Sequence, residues 1–149
     1  ALSKLRTSMN VVMEAKRYVP LVPLAFGKAK RAFDCGGFQV PAGWTVYLVL
    51  TINNNDPSIY TNPRTFDPDR FERGEHRKHA MAFIPQGAEP PTGHRCLGLD
   101  YASFLSLTFL TILVRDYDWN LPPQDLEYNW KKLPPEPQDG LLVSLRRKG

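Results

Sequence analysis

A chain of 149 residues, 42% of them hydrophobic, has the length of one domain and enough apolar content to bury roughly two thirds of the surface its unfolded form exposes. Its net charge of +4 is a mild bias: basic residues gather only at 28–31, 73–79 and 146–148, without the one-sided stripe and interleaved aromatics of a nucleic-acid binder, so no nucleic-acid partner is expected. The two cysteines, Cys35 and Cys96, are too few and too far apart for a disulfide framework or a zinc site, which points to a reducing, cytoplasmic setting.

The longest apolar run, 104–114, falls short of the roughly 20 residues of a membrane span, and the first ten residues lack the pattern of a secretory signal. This piece is expected to be soluble, with no membrane segment of its own; a membrane anchor on preceding sequence stays open. Fourteen prolines cut the chain into short elements, because each removes a backbone donor and drives its predecessor out of helical geometry. Apolar residues at Leu2, Leu5, Met9, Val12 and Met13 among good helix formers predict a helix over 2–18, stopping before Pro20. Only Ser3 offers an N-cap signal, so the beginning reads as cut. Residues 21–26, 33–40 around Gly36-Gly37, and 44–50 after Pro41-Ala42-Gly43 read as strands of a small antiparallel sheet.

The stretch 53–77, rich in Asn, Asp, Pro and Arg, reads as an ordered meander with one short helix at 57–60. Loops of that length tend to be functional or to belong to a larger assembly. A turn-rich loop over 80–95 then leads into the strongest helix, 98–117, with Leu99, Ala102, Leu105, Phe109, Ile112 and Leu113 spread nearly all round it. Such a helix is normally buried in a larger protein. Strand-like runs at 126–130 and 140–145, separated by a proline-rich spacer, predict a hairpin-like pair. The fold class expected is α+β.

Three segments follow in order: Glu14-Ala15-Lys16-Arg17, then Phe66-Asp67-Pro68-Asp69-Arg70-Phe71, then Phe83-Ile84-Pro85-Gln86-Gly87 through Gly93-His94-Arg95-Cys96-Leu97-Gly98. The last has a physical logic of its own. A thiolate is the metal-ligating form of cysteine, and a sulfur at a helix N-terminus is stabilised by orphan N–H groups and the positive end of the dipole. Gly93 and Gly98 would let the backbone approach a flat cofactor closely. The commoner fate of a lone cysteine is a buried inert thiol, and the ordered context of Cys96 argues against it. Glu14 and Arg17, three apart, share a helix face. In isolation such spacing is usually a surface pair worth under about 0.5 kcal/mol.

Together the three segments, covering essentially the whole chain, resemble the E-x-x-R helix, the aromatic-Pro-x-Arg-Phe segment and the cysteine ligand loop of cytochromes P450. The resemblance implies that residues 1–149 are the single C-terminal haem-thiolate portion of that mainly α fold, with the N-terminal two thirds missing. It implies heme b with Cys96 as axial iron ligand, and insertion of one oxygen atom into a small apolar substrate. Electrons would come from a ferredoxin or flavoprotein partner, or the oxidant would be hydrogen peroxide. Glu14, Arg17 and Arg70 would form a structural ion cluster. His94 stands where the family keeps a haem-propionate partner, and Lys28 falls near where it often has Arg, a change that forfeits bidentate geometry. For both residues the alternative is a solvated surface charge. Arg95 is a weaker candidate for facing a redox partner.

The loop departs from the common family form in being longer and in having Gln86 for the usual Phe. In this it resembles a subgroup that includes hydrogen-peroxide-dependent fatty-acid hydroxylases and related bacterial sequences. Leu24, Ala25 and Phe26 occupy a place where the family lets a strand touch substrate, although plain sheet core is at least as good a reading. Trp44, Trp119 and Trp130 read as core or interface anchors. The family's oxygen-activating acid-alcohol pair would lie before Ala1, so no catalytic residue is expected in this chain, and a truncated, catalytically inactive remnant is the third reading.

Overall fold

The computed structural model describes residues 2–88, 95–132 and 134–149, with side chains from residue 5 onward. Helix α1 (Leu2–Tyr18) has the limits its apolar spacing predicts. It ends where Pro20 would interrupt the hydrogen-bond ladder, after Val19 donates to the Ala15 carbonyl at 3.0 Å. Strand β1 (Leu24–Lys28) pairs antiparallel with β4 (Thr45–Val49), Leu24 opposite Val49 and Lys28 opposite Thr45. Between them, β2 (Phe33–Cys35) and β3 (Phe38–Val40) form a hairpin. It closes through Gly36 and Gly37 at φ 57° and 83°, the left-handed backbone that tight hairpin turns require.

The expected strand ending at residue 50 instead stops at Val49 and becomes a short helix, α2 (Leu50–Asn54). Leu50 donates to the Pro23 carbonyl at 3.0 Å, the last ladder bond. Leu50 and Asn54 are then buried together on one helical face. The expected helix at 57–60 is a turn built on Asp56, whose carbonyl accepts the N–H groups of Ile59 and Tyr60 at 3.1 and 2.9 Å while its side chain caps Ser58 at 2.8 Å. Asp self-caps in this way and competes with helix. The meander has its short 3-10 turns further on, at Pro68–Phe71 and Glu75–Arg77.

Helix α3 (Leu99–Asp116) runs directly into β5 (Tyr117–Asn120). The last strand, β8 (Ser144–Arg147), pairs with β5, Trp119 opposite Leu145, and not with the run at 126–130. That run contributes only β6 (Tyr128–Asn129), paired with β7 (Glu136–Pro137) across the proline-rich turn. Prolines there withhold the donors a longer ladder needs. The outer pair is joined to the inner one by Gln124, whose side chain exchanges hydrogen bonds with the backbone of Leu142 at 2.8 and 2.9 Å.

The interior is unusual in composition. Val12, Leu50, Ile59, Tyr60, Phe71, Ala82 and Ile84 are buried, but so are Asn10, Glu14, Arg17, Asn54, Arg70 and Glu75. The largest fully enclosed side chains are Arg17 and Arg70. Helix α3 contributes no buried residue, and Phe104 and Phe109 are 64% and 67% exposed. An apolar helix without cover fits the expectation of a larger assembly. Among the described residues no helix is long and apolar enough to cross a membrane.

Candidate functional site

The candidate residues fall into two constellations. The first is ionic. The helical spacing of Glu14 and Arg17 aligns a bidentate pair, Arg17 Nε to Glu14 Oε2 at 2.8 Å and Nη2 to Oε1 at 2.7 Å. The meander brings Arg70 to the same carboxylate, Nε to Oε1 at 3.1 Å, and the Asp67 backbone N–H donates to Oε1 at 2.9 Å. All three side chains are fully buried. Their remaining N–H groups are taken up by backbone carbonyls: Arg17 donates to Asn54 at 2.6 Å, and Arg70 to Thr61 and Thr65 at 2.9 and 3.0 Å.

Sequence reasoning missed the second carboxylate of this cluster. Glu75 accepts from Arg70 Nη1 at 2.9 Å, from the Thr61 N–H at 2.9 Å and from Arg73 Nε at 2.9 Å. Burial pushes its carboxyl up, but the Thr61 N–H and the Arg73 and Arg70 guanidiniums outweigh that and hold it below the usual range. Glu75 could have been noticed as the one acid in an otherwise basic stretch, 73–79. Tyr60 closes the cluster, with the guanidiniums of Arg17 and Arg70 at 5.1 and 5.7 Å from its ring. Its hydroxyl donates to the Ala82 carbonyl at 2.7 Å. Burial pushes the phenol up to about 12.

The second constellation is the thiol. The Cys96 N–H donates to the Gln86 carbonyl at 2.9 Å, and the Cys96 carbonyl accepts the Leu99 N–H at 3.2 Å, so the cysteine sits in the turn that opens α3. Gly98 is the N-cap, at φ −83° and ψ 3°. That backbone does not demand glycine; what glycine does is omit a Cβ that would stand 3.8 Å from the Cys96 Sγ. The thiol is free and exposed. It opens onto a groove of about 540 Å³ whose walls include Ala25, Leu48, Leu50, Met81 and Ile84.

Of the β1 residues proposed to touch substrate, Ala25 lines this groove; Leu24 and Phe26 are not in its wall. Phe26 is exposed and packs on Tyr47 with ring centroids 6.1 Å apart. Lys28 is exposed at the far end of β1 and is likewise not in the groove wall. His94 and Gly93 lie outside the described residues. Arg95 pairs with Asp100 at 3.0 Å. Trp44, Trp119 and Trp130 are 63%, 52% and 58% exposed, which removes them from the core of the described chain.

Among the described residues no group of three or more His, Cys, Asp or Glu gathers to hold a bare ion. A single soft sulfur facing apolar walls instead matches a metal already carried in a flat macrocycle.

A cytochrome P450 family model matches residues 1–143. The chain belongs to the cytochrome P450 family. Among curated relatives, a beta-amyrin 28-monooxygenase of Saponaria officinalis is 31% identical over 147 residues, 97% of this chain and 29% of that protein. A P450 of family 716, subfamily AD, from Citrus sinensis is 35% identical over 118 residues, 78% of this chain and 23% of that protein. Solved P450 structures superpose well. Retinoic acid-bound cyanobacterial CYP120A1 gives a TM-score of 0.85 at 31% identity over 93% of this chain and 32% of its own. Cytochrome P450EX alpha (CYP152N1) with myristic acid gives 0.81 at 33% identity over 95% and 34%. The chain thus spans only 23% and 29% of the length of these two curated relatives. Its helices and small antiparallel sheets are an α+β portion of the P450 fold, and the family implies a haem cofactor.

Proposed function

We propose that this chain furnishes the thiolate side of a haem-thiolate monooxygenase site, in which Cys96 would hold the haem iron. The observation that carries the reading is the exposed Cys96 sulfur, fixed in the opening turn of α3 and facing an apolar groove. When bound, the haem supplies the oxygen-transfer chemistry. The chain's own residues hold and shape it. The Gln86 carbonyl anchors the Cys96 backbone, Gly98 leaves the flank of the sulfur clear, and Ala25, Leu48 and Ile84 give that side an apolar wall. The Glu14–Arg17–Arg70 cluster ties α1 to the meander and has no part in the chemistry. His94 and Lys28 are proposed as propionate partners, and the oxygen-facing groups are proposed to come from sequence preceding Ala1. In the net reaction, an apolar substrate and dioxygen, with two electrons and two protons from a redox partner, give the hydroxylated product and water.

A second reading, a peroxide-dependent fatty-acid hydroxylase, is favoured by a specific observation. Solved P450 relatives that superpose on this chain carry fatty acids, myristic acid in one and arachidonic acid in another. The long Gln86-containing loop points the same way. Isotope labelling separates the readings. The haem-loaded protein is offered fatty acids and cyclic terpenoids with ¹⁸O-dioxygen and a reductase system, or with ¹⁸O-hydrogen peroxide. Label from dioxygen supports the first reading and label from peroxide the second. Product without label from either source overturns both, and no product supports the third reading, a catalytically inactive remnant.

A further inference from the structure

Lys16 lies between Glu14 and Arg17 in sequence but takes no part in their cluster. Two residues on from Glu14 a helix has turned by roughly 200°, so Lys16 is carried to the opposite side of α1. There its Nζ donates to the Ser103 Oγ of α3 at 2.8 Å. Ser103 Oγ donates in turn to the Leu99 carbonyl at 2.8 Å, and the Leu99 N–H closes on the Cys96 carbonyl at 3.2 Å. An unbroken set of contacts therefore runs from the ammonium to the turn that carries the sulfur. On the other side of that turn Gln86 holds the Cys96 N–H. Lys16 and Gln86 share the walls of two cavities, of about 340 and 560 Å³. Gln86 Oε1 is buried with no hydrogen-bond partner among the described residues.

A partly buried ammonium is costly unless an anion compensates it. Lys16 makes no ion pair with a carboxylate among the described residues. Burial lowers its proton affinity, and the charges that oppose this are those of Cys96 first and Asp100 second. The negative groups whose charge reaches this lysine are Cys96, as a thiolate, and Asp100.

We propose that Lys16 is a positioning residue for the Cys96 thiolate: through Ser103 it pins the cysteine-bearing turn, and it sets a positive charge beside that turn. The proposal rests on Cys96 as the iron ligand. A cation there withdraws charge from the sulfur. Because reduction adds one negative charge to the iron–thiolate unit, the cation also favours the reduced state, as Coulomb attraction at partly buried sites requires.

The test compares wild type, Lys16→Met, Lys16→Gln, Lys16→Arg and Cys96→Ser as haem-loaded proteins. Haem content and the carbonyl spectrum are read first, then the haem midpoint potential by spectroelectrochemistry. Lys16→Met and Lys16→Gln are expected to shift the potential to lower values with the thiolate carbonyl band kept, and Lys16→Arg to restore it toward wild type. A potential unchanged in Lys16→Met or Lys16→Gln overturns the proposal and leaves the iron–Cys96 reading intact. Loss of haem from all three Lys16 variants makes the lysine a packing residue and overturns it too. A wild type with no thiolate signature overturns the reading beneath it, and the proposal with it.

Discussion

Replacing Glu14 by Gln tests the ionic core most severely. The fully buried carboxylate accepts four hydrogen bonds, three from guanidinium nitrogens of Arg17 and Arg70 and one from the Asp67 backbone. Glutamine keeps the volume but removes the charge and turns one acceptor into a donor that faces N–H groups. Two buried cations are then left with Glu75 as the remaining carboxylate in contact with Arg70, and none in contact with Arg17, among the described residues. Breaking a buried ion pair on one side costs about 3–5 kcal/mol. A domain's whole stability is about 5–15 kcal/mol. At about 2–4 °C per kcal/mol for a chain of this size, the loss lowers the melting temperature by roughly 6–20 °C. Circular dichroism melts and urea titrations of wild type and Glu14→Gln measure it. Arg115→Gln, which breaks the exposed pair with Asp116 at 2.6 Å, is the control and should leave the midpoint in place. Equal shifts in the two variants would refute the claim that the cluster is an energetic keystone.

The remaining predictions concern pH and the sulfur's surroundings. The Glu75 carboxyl is held below its ordinary 4.5, so its contribution to stability is present above that pH and is lost as the pH falls through the depressed folded value. Glu75→Gln should flatten the acid limb of a stability–pH curve, and an unchanged slope contradicts the assignment. The Tyr60 phenol, pushed from 10.0 up to about 12, contributes stability that is complete below pH 10 and disappears as the pH rises through about 12. Phenolate absorbance should show a late titration that Tyr60→Phe removes; a curve that Tyr60→Phe leaves unchanged above pH 10 rules this out. Gly98→Val in a Cys35→Ser background should slow alkylation of Cys96 by a bulky maleimide, because the new Cβ stands 3.8 Å from the sulfur. An unchanged rate would show that the flank is not a route to the thiol.

Which parts of this could be foreseen depends on the range of the interaction. Helix α1 keeps the predicted limits, and α3 loses one residue at each end to caps, because helical periodicity is a local property. The run at 33–40, expected as one strand of a single sheet with 21–26 and 44–50, is instead folded at Gly36-Gly37 into two strands that form a sheet of their own. The pairing of β8 with β5 was not legible: the partners are separated by the whole β6–β7 segment, and nothing in either short strand names the other. Within the cluster, the Glu14–Arg17 pair follows from spacing, whereas Arg70 was reached only through the family resemblance. The acceptors that complete it are backbone carbonyls of Asn54, Thr61 and Thr65, which carry no signature in side-chain identity. The tether from Lys16 to Ser103 joins two helices 87 residues apart, and either residue read alone is an ordinary polar position on a helix.

The central claim is that the Cys96 sulfur is the iron ligand, and the reduced carbonyl spectrum tests it most directly. The purified chain is loaded with haem, reduced with dithionite and exposed to carbon monoxide, alongside Cys96→Ser and Cys35→Ser. The account predicts the red-shifted thiolate Soret band in wild type and Cys35→Ser, and its absence from Cys96→Ser. The same band in Cys96→Ser, or no thiolate band in wild type, would contradict it.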